Sequence, residues 1–191
     1  MGEYQHICHT FEPVYNERSE ILILGSLPSV KSREQGFYYG HPQNRFWKVL
    51  AAVLSCPVPT AIEEKKSMLL KNHIALWDVI ESCDIIGSSD SSIKNVVPAD
   101  IGSILSKTKI DRIFANGKKA ESLYQKYIYP KTKVPVTALP STSPANAACS
   151  LEKLIAMWRG EINAGPDPDG AVERGDTDNG RSCKKRILLH E

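Results

Sequence analysis

Residues Phe37 to Trp47 read Phe-Tyr-Tyr-Gly-His-Pro-Gln-Asn-Arg-Phe-Trp. They combine aromatic rings with an imidazole (His41), side-chain amides (Gln43, Asn44) and a guanidinium (Arg45). Aromatic faces stack on flat rings, and an amide offers a donor and an acceptor together. Proline-containing turns accompany the segment, Gly25-Ser-Leu-Pro-Ser29 ahead of it and Leu139-Pro-Ser-Thr-Ser-Pro144 far behind it. Their prolines make rigid turns, and their hydroxyls and backbone N–H groups suit phosphate oxygens. Neither turn is a G-x-x-x-x-G-K-[ST] phosphate loop or part of a G-x-G-x-x-G pattern. No G-x-S-x-G elbow supports a serine hydrolase. The combination predicts a pocket for a flat polar ring beside a phosphate, as a nucleobase in a nucleic-acid strand would need. The plainer reading of each turn alone is a strand-exit loop.

The elements that would position these groups alternate between strand and helix. Ile21 to Leu24 reads as a buried strand, followed by the first turn and the aromatic loop. Helices are expected over about Arg45 to Leu54 and Thr60 to Asn72, with a buried strand at Ile74 to Ile80. Glu81 to Pro98 is mostly Ser, Gly, Asp and Asn and reads as a long surface loop, a kind of segment that is often functional. Pro98 and Asp100 predict the start of a short helix to about Ser106. Strands follow at Ile110 to Ala115 and Lys133 to Leu139, with a helix at Lys118 to Tyr127 between them. A closing helix, Leu151 to Ile162, places Leu151, Leu154, Ile155 and Trp158 at the spacing of one apolar face. This alternation implies an α/β domain with a largely parallel sheet. Ligands of such sheets bind outside the carboxyl ends of the strands, so the loops at Ser26, Asn116 and Ser141 should gather on one edge.

Length and composition exclude several classes. The chain has 191 residues and a hydrophobic fraction of 41%, which suits one self-sufficient domain over residues 1–163. No apolar run approaches the ~20 residues that span a bilayer, and the N-terminus lacks a secretory pattern. The expected location is intracellular, cytoplasmic if the source is prokaryotic, with no membrane partner. Residues 164–191 turn to Gly, Asp, Asn and Arg with few large apolar side chains, and are expected to be a disordered tail. The net charge of +2 neither demands nor excludes a polyanion. Lys31, Arg33, Arg45, Lys48, Lys118 and Lys119 are candidates for a basic face toward nucleic acid. Five dispersed cysteines read as reduced, mostly buried thiols. His6-x-Cys8-His9 has no second half-site, so no metal is expected, and no motif calls for a cofactor. Nothing suggests an apolar interface, and a monomer is expected.

Four motifs, GSLPS, FYYGHPQNRFW, FANGKKA and LPSTSPANA, occur in that order and spacing across about Ile21 to Trp158. Together they resemble the uracil-DNA glycosylase superfamily. That resemblance implies a three-layer α/β/α domain with a central, mainly parallel four-stranded sheet. The G-H-P-x-N-R-F-W segment resembles the mismatch-specific uracil/thymine enzymes, but these carry an Asn at the position of Leu27 to orient the attacking water. An aliphatic Leu27 cannot do so. The chain is more similar to the hypoxanthine-DNA (deoxyinosine) glycosylases, whose catalytic amide lies in the aromatic loop at the position of Asn44.

The resemblance implies a monofunctional enzyme of base excision repair acting on DNA that contains deaminated bases, preferring hypoxanthine and leaving an abasic site. A uracil or G:U/G:T mismatch glycosylase is the close alternative. A non-catalytic binder of damaged DNA is the alternative from another class, since Leu27 lacks the conventional amide. The base must be flipped out at a cost of a few kcal/mol and held. Tyr39 is the expected stacking ring and Phe37 the second choice. Asn44 is expected to position water through its carbonyl oxygen, with catalysis resting on orientation and on stabilising the base anion. Asn116 would read the lactam edge, and Asp78 would line the pocket floor. Ser26, Ser29, His41, Ser141 and Ser143 are the expected phosphate contacts. Pro144 and Ala145, with Asn146, lie where the family inserts a wedge into the base stack.

Overall fold

The computed structural model describes residues 3–87 and 89–164. In chain order its elements are β1 (Tyr4–Cys8), β2 (Ile21–Gly25), α1 (Val30–Gln35), α2 (Phe46–Val53), α3 (Ile62–Lys71), β3 (Ile74–Asp78), β4 (Ile80–Ile86), β5 (Lys94–Pro98), α4 (Ile101–Lys107), β6 (Arg112–Asn116), α5 (Lys118–Tyr127), α6 (Tyr129–Thr132), β7 (Val136–Leu139) and α7 (Leu151–Asn163). Four strands form one parallel sheet in the order β3-β2-β6-β7. The expectation of an α/β domain with a central, parallel four-stranded sheet is met.

β2 shows why the sheet is covered on both faces. All of its residues are buried, and their side chains alternate between two apolar clusters. Ile21 and Ile23 join Phe46, Leu50, Leu69, Leu154 and Trp158 on the side of α2, α3 and α7. Leu22 and Leu24 join Ile101, Ile104, Leu123 and Tyr124 on the side of α4 and α5. A continuous apolar run is what a parallel strand needs when helices cover both faces.

A second, antiparallel sheet, β1-β4-β5, departs from the sequence reading. Glu81 to Pro98, expected as a surface loop, instead supplies most of β4 and all of β5. The strands were hidden because their alternation is broken: the pairing shifts register between Ile80 and Ser82 and again between Ser82 and Asp84. The buried residues therefore fall at Ile80, Cys83 and Ile85 rather than at strict intervals of two. Pro98 ends β5 opposite Ile80, and Asp100 alone caps α4, accepting from Ser103 N at 3.1 Å. β1 is an exposed edge strand without an apolar stripe. The short helices α1 and α6 were also unpredicted. No helix among the described residues is long and apolar enough to cross a membrane. The expected tail lies outside the described residues, apart from Ala164.

Register is what assembles the site. Gly25 pairs with Asp78, Leu24 with Ala115, and Asn116 with Leu139. Asp78, Gly25, Asn116 and Leu139 thus form one row along the carboxyl edge, although they are scattered over more than 100 positions of the chain.

Candidate active site

The aromatic loop is anchored at both ends before it presents any group. Ser32, 2% exposed, accepts from Gly40 N at 3.1 Å and ties the loop to α1. Trp47 Nε1 donates to Tyr38 O at 3.2 Å, and Tyr38 Oη donates to Glu12 O at 3.1 Å. His41 closes the turn that follows, its Nδ1 accepting from Gln43 N at 3.2 Å and its carbonyl from Asn44 N at 2.9 Å. Asn44 then closes a turn at the start of α2, its Oδ1 accepting from Phe46 N at 3.0 Å. That bond ties Asn44, which is also the candidate catalyst, to the helix start.

The two motif amides meet through a residue the sequence did not single out. Thr142 is fully buried. Its Oγ1 donates to Asn44 Oδ1 at 3.0 Å and accepts from Asn116 Nδ2 at 2.9 Å. Its backbone N–H donates to Asn116 Oδ1 at 3.0 Å. Backbone donors thus fix the orientation of both amides, because only their oxygens can accept from Phe46 N and Thr142 N. The second N–H and second lone pair of Asn116 make no further hydrogen bond among the described residues, and the amide lies beside Tyr39 Oη. Asn44 is different. Both lone pairs of its oxygen are used, whereas Nδ2 makes no hydrogen bond among the described residues and is not shut away from solvent. The expectation that Asn44 holds water through its carbonyl oxygen is therefore not met by this geometry.

Arg45 holds the second turn in place. Its backbone N–H donates to Thr142 O at 3.1 Å. Its guanidinium donates to the carbonyls of Ser143 (2.8 Å), Asn146 (3.0 Å) and Cys149. A planar fork suits several convergent carbonyls, which a lysine could not satisfy together. Arg45 was expected on a DNA-facing basic surface, but its side chain is spent inside the protein. Below the turn, Trp158 Nε1 donates to Pro140 O at 2.9 Å. Gly117, at φ +98°, admits Ser141 so closely that an added Cβ would lie 3.0 Å from the Ser141 Cβ. Pro144 and Ala145 stand exposed at the tip, in a turn closed by Asn146 N donating to Ser143 O at 3.0 Å.

Tyr39 and Phe37 part company. Tyr39 stacks on Phe46 with centroids 3.9 Å apart and planes 18° apart, and it takes a left-handed backbone conformation, φ +53°. A tyrosine held there carries a strain of ~1 kcal/mol or more that the surrounding packing must offset. Its hydroxyl is buried. Burial, then the Asp78 carboxylate, push the phenol far up, and the Asn116 amide works against them. Tyr39 therefore stays a neutral donor. Phe37 is 4% exposed and lies parallel to Trp47 in the core, so it has no open face for a base. That second choice is corrected.

Asp78 is 4% exposed, and its Oδ2 pairs with His9 Nε2 at 2.9 Å. Its Oδ1 approaches Gly25 so closely that a Cβ there would sit 2.1 Å away, with Tyr39 Oη at 3.1 Å from the same point. Glycine at position 25 is what lets the carboxylate and the phenol converge. In the sequence, His9 stands out only as a metal-ligand candidate beside His6. His6 instead pairs with Asp84 at 2.8 Å, so the two imidazoles serve different aspartates.

The first turn does less than expected. Ser29 Oγ accepts from Ser32 N at 3.2 Å and shares a 3.0 Å hydrogen bond with Ser32 Oγ. Its hydroxyl is an N-cap for α1, not a free phosphate contact. Leu27 packs against the cluster of Leu22 and Leu24. Ser26 is half-buried, with its carbonyl taken by Ile80 N at 3.1 Å. In the second turn Ser141 Oγ accepts from Ser143 N and Ser143 Oγ from Ala145 N, both at 3.2 Å. These hydroxyls keep a proton to donate outward. His41 Nε2 makes no hydrogen bond among the described residues, on a half-exposed ring.

Comparison with known proteins identifies the family. Residues 12–159 match the family model described as the uracil DNA glycosylase superfamily. A protein named hypoxanthine DNA glycosylase from Methanosarcina acetivorans is 40% identical over 141 residues, covering 71% of this chain and 86% of the relative. A protein of the same name from Methanosarcina barkeri is 40% identical over 86 residues, covering 44% of this chain and 54% of the relative. The solution structure of a Methanosarcina acetivorans protein, provisionally described as a uracil DNA glycosylase, superposes with a TM-score of 0.67 at 34% identity, covering 78% of this chain and 95% of the other. With the family model spanning most of the chain, and with its motif amides joined at the carboxyl edge of a parallel sheet, this protein belongs to the uracil DNA glycosylase superfamily.

Proposed function

We propose that this protein is a monofunctional DNA glycosylase that removes deaminated bases from DNA, with hypoxanthine preferred. The observation that carries the reading is the linkage of Asn44 to Asn116 through Thr142. It brings the candidate catalytic amide and the candidate base-reading amide to one place at the sheet edge. The names of the 40%-identical relatives support the choice of hypoxanthine.

In the reaction, water oxygen bonds to the anomeric carbon and the C1′–N bond breaks. Its electron pair leaves with the base, and the proton lost by water goes to solvent or to the base. Deaminated bases leave comparatively well as anions, so orientation and electrostatic stabilisation can suffice without a strong general base. Asn116 retains one donor and one acceptor, which suits the lactam edge of hypoxanthine or uracil. Tyr39 offers its ring beside that edge. Ser141, Ser143 and His41 are the remaining candidates for phosphate contacts, and Pro144 and Ala145 for the wedge. The resemblance places no lysine by motif to form a Schiff base, so the expected product is an abasic site without strand cleavage.

The test uses labelled duplexes carrying one deoxyinosine, uracil or mismatched thymine, incubated without added metal and then treated with alkali. Strongest cleavage at deoxyinosine is expected. Cleavage mainly at uracil or thymine would retain the glycosylase and overturn its preference. Binding without any cleavage would favour a damaged-DNA binder.

A further inference from the structure

The hydrogen-bond balance at Asn44 points to a specific chemical role. Asn44 Oδ1 accepts from Phe46 N and from Thr142 Oγ1, both at 3.0 Å. An amide oxygen has two lone pairs, so neither is left for a water molecule. The Thr142 hydroxyl cannot readily turn away, because it accepts from Asn116 Nδ2 at 2.9 Å and its proton must then point to Asn44. Nδ2 of Asn44, with two unused N–H groups, is the part of the side chain left to meet a substrate.

We propose that Asn44 acts as a hydrogen-bond donor to the departing base, through Nδ2, and not as an acceptor that orients water. The inference rests on the assignment of Asn44 as the catalytic amide. Charge development decides between the two targets an N–H could have. As the C1′–N bond breaks, its electron pair delocalises onto ring nitrogen and carbonyl oxygen of the base, and a fixed donor there gains strength in the transition state. The attacking water becomes more positive as it bonds to carbon, and a donor aimed at its oxygen would oppose attack. Two hydrogen bonds through one hydroxyl separate Asn44 from Asn116, so both amides can face the same base. Thr142 is then a positioning residue, turning the Asn44 oxygen inward and its nitrogen outward.

The experiment compares Asn44→Asp with Asn44→Ala in single-turnover excision of deoxyinosine at saturating protein, above the ordinary carboxylate range of pH. Aspartate keeps an oxygen for Phe46 N and Thr142, and so keeps the turn at the helix start, but replaces the donor by an acceptor. Thermal melts check that both variants fold. If Asn44 donates, the Asp variant loses as much rate as the Ala variant, about 10²-fold or more. If Asn44 orients water, the carboxylate is the better acceptor, and the Asp variant excises well above the Ala variant. A gap above about threefold in its favour overturns the donor role alone. An Ala variant as fast as wild type would remove Asn44 from the reaction and overturn the assignment together with this inference, as would a wild-type protein inert on every duplex.

Discussion

The two proline-serine turns look alike in sequence and do different work. Gly25-Ser-Leu-Pro-Ser29 spends its last hydroxyl on capping α1 and packs Leu27 against the core. Leu139 to Pro144 buries Thr142 completely, joins two amides through its hydroxyl, and is clamped from Arg45. The first turn is built for stability and for a close approach at Gly25. The second holds polar groups away from water in fixed orientations. Composition does not separate these cases. What separates them is whether the hydroxyl's partner is a neighbour in the chain or a residue about a hundred positions away.

The comparison is broken most directly at its strong end. Thr142→Val should slow excision about 100-fold and destabilise the fold by about 1–3 kcal/mol, because two buried amides each lose a partner. Thr142→Ser should recover most of both. Single-turnover rates and thermal melts read the two effects, and a Val variant of wild-type rate would dissolve the distinction between the turns. Arg45→Lys comes next, at about 1–2 kcal/mol, since an ammonium cannot reach carbonyls of Ser143, Asn146 and Cys149 together. Urea unfolding measures it, and excision should fall with it as the second turn loosens.

Ser29→Ala sharpens the weak end. It should cost about 1 kcal/mol of stability through the lost cap while excision changes little. A large loss of DNA affinity at unchanged stability would instead return Ser29 to the phosphate contacts. The smallest effect lies outside both turns. Hydrogen bonds from Asn95 and His6 hold the Asp84 carboxyl below its ordinary range. Its contribution is present above the unfolded pKa and lost as pH falls through the lower, folded value. Asp84→Asn should therefore flatten the acid side of the stability curve slightly and leave excision unchanged.

Much of the molecule was legible in the chain. The continuous apolar run at Ile21 to Leu24 specified a doubly covered parallel strand, and the four motifs specified the superfamily, because both signals are local. Neighbouring residues set the capping of α1 and α4. The small antiparallel sheet was not legible, because a register shift in β4 displaced its buried residues from strict alternation.

The site divides the same way. Its residue types, Asn44, Asn116, Tyr39 and the Ser-Thr turn, were determined by the sequence alone. Which atom of each faces a ligand was decided by the tertiary structure. Each hydrogen bond occupies one lone pair of its acceptor, and the groups that occupy Asn44 Oδ1 and Asp78 Oδ2 include Thr142 and His9, brought there by strand register and loop packing. The same long-range packing turned Phe37 into core and drew Arg45 away from the surface. A one-dimensional pattern can name a functional group, but only the folded chain settles whether its lone pairs and protons are already spent.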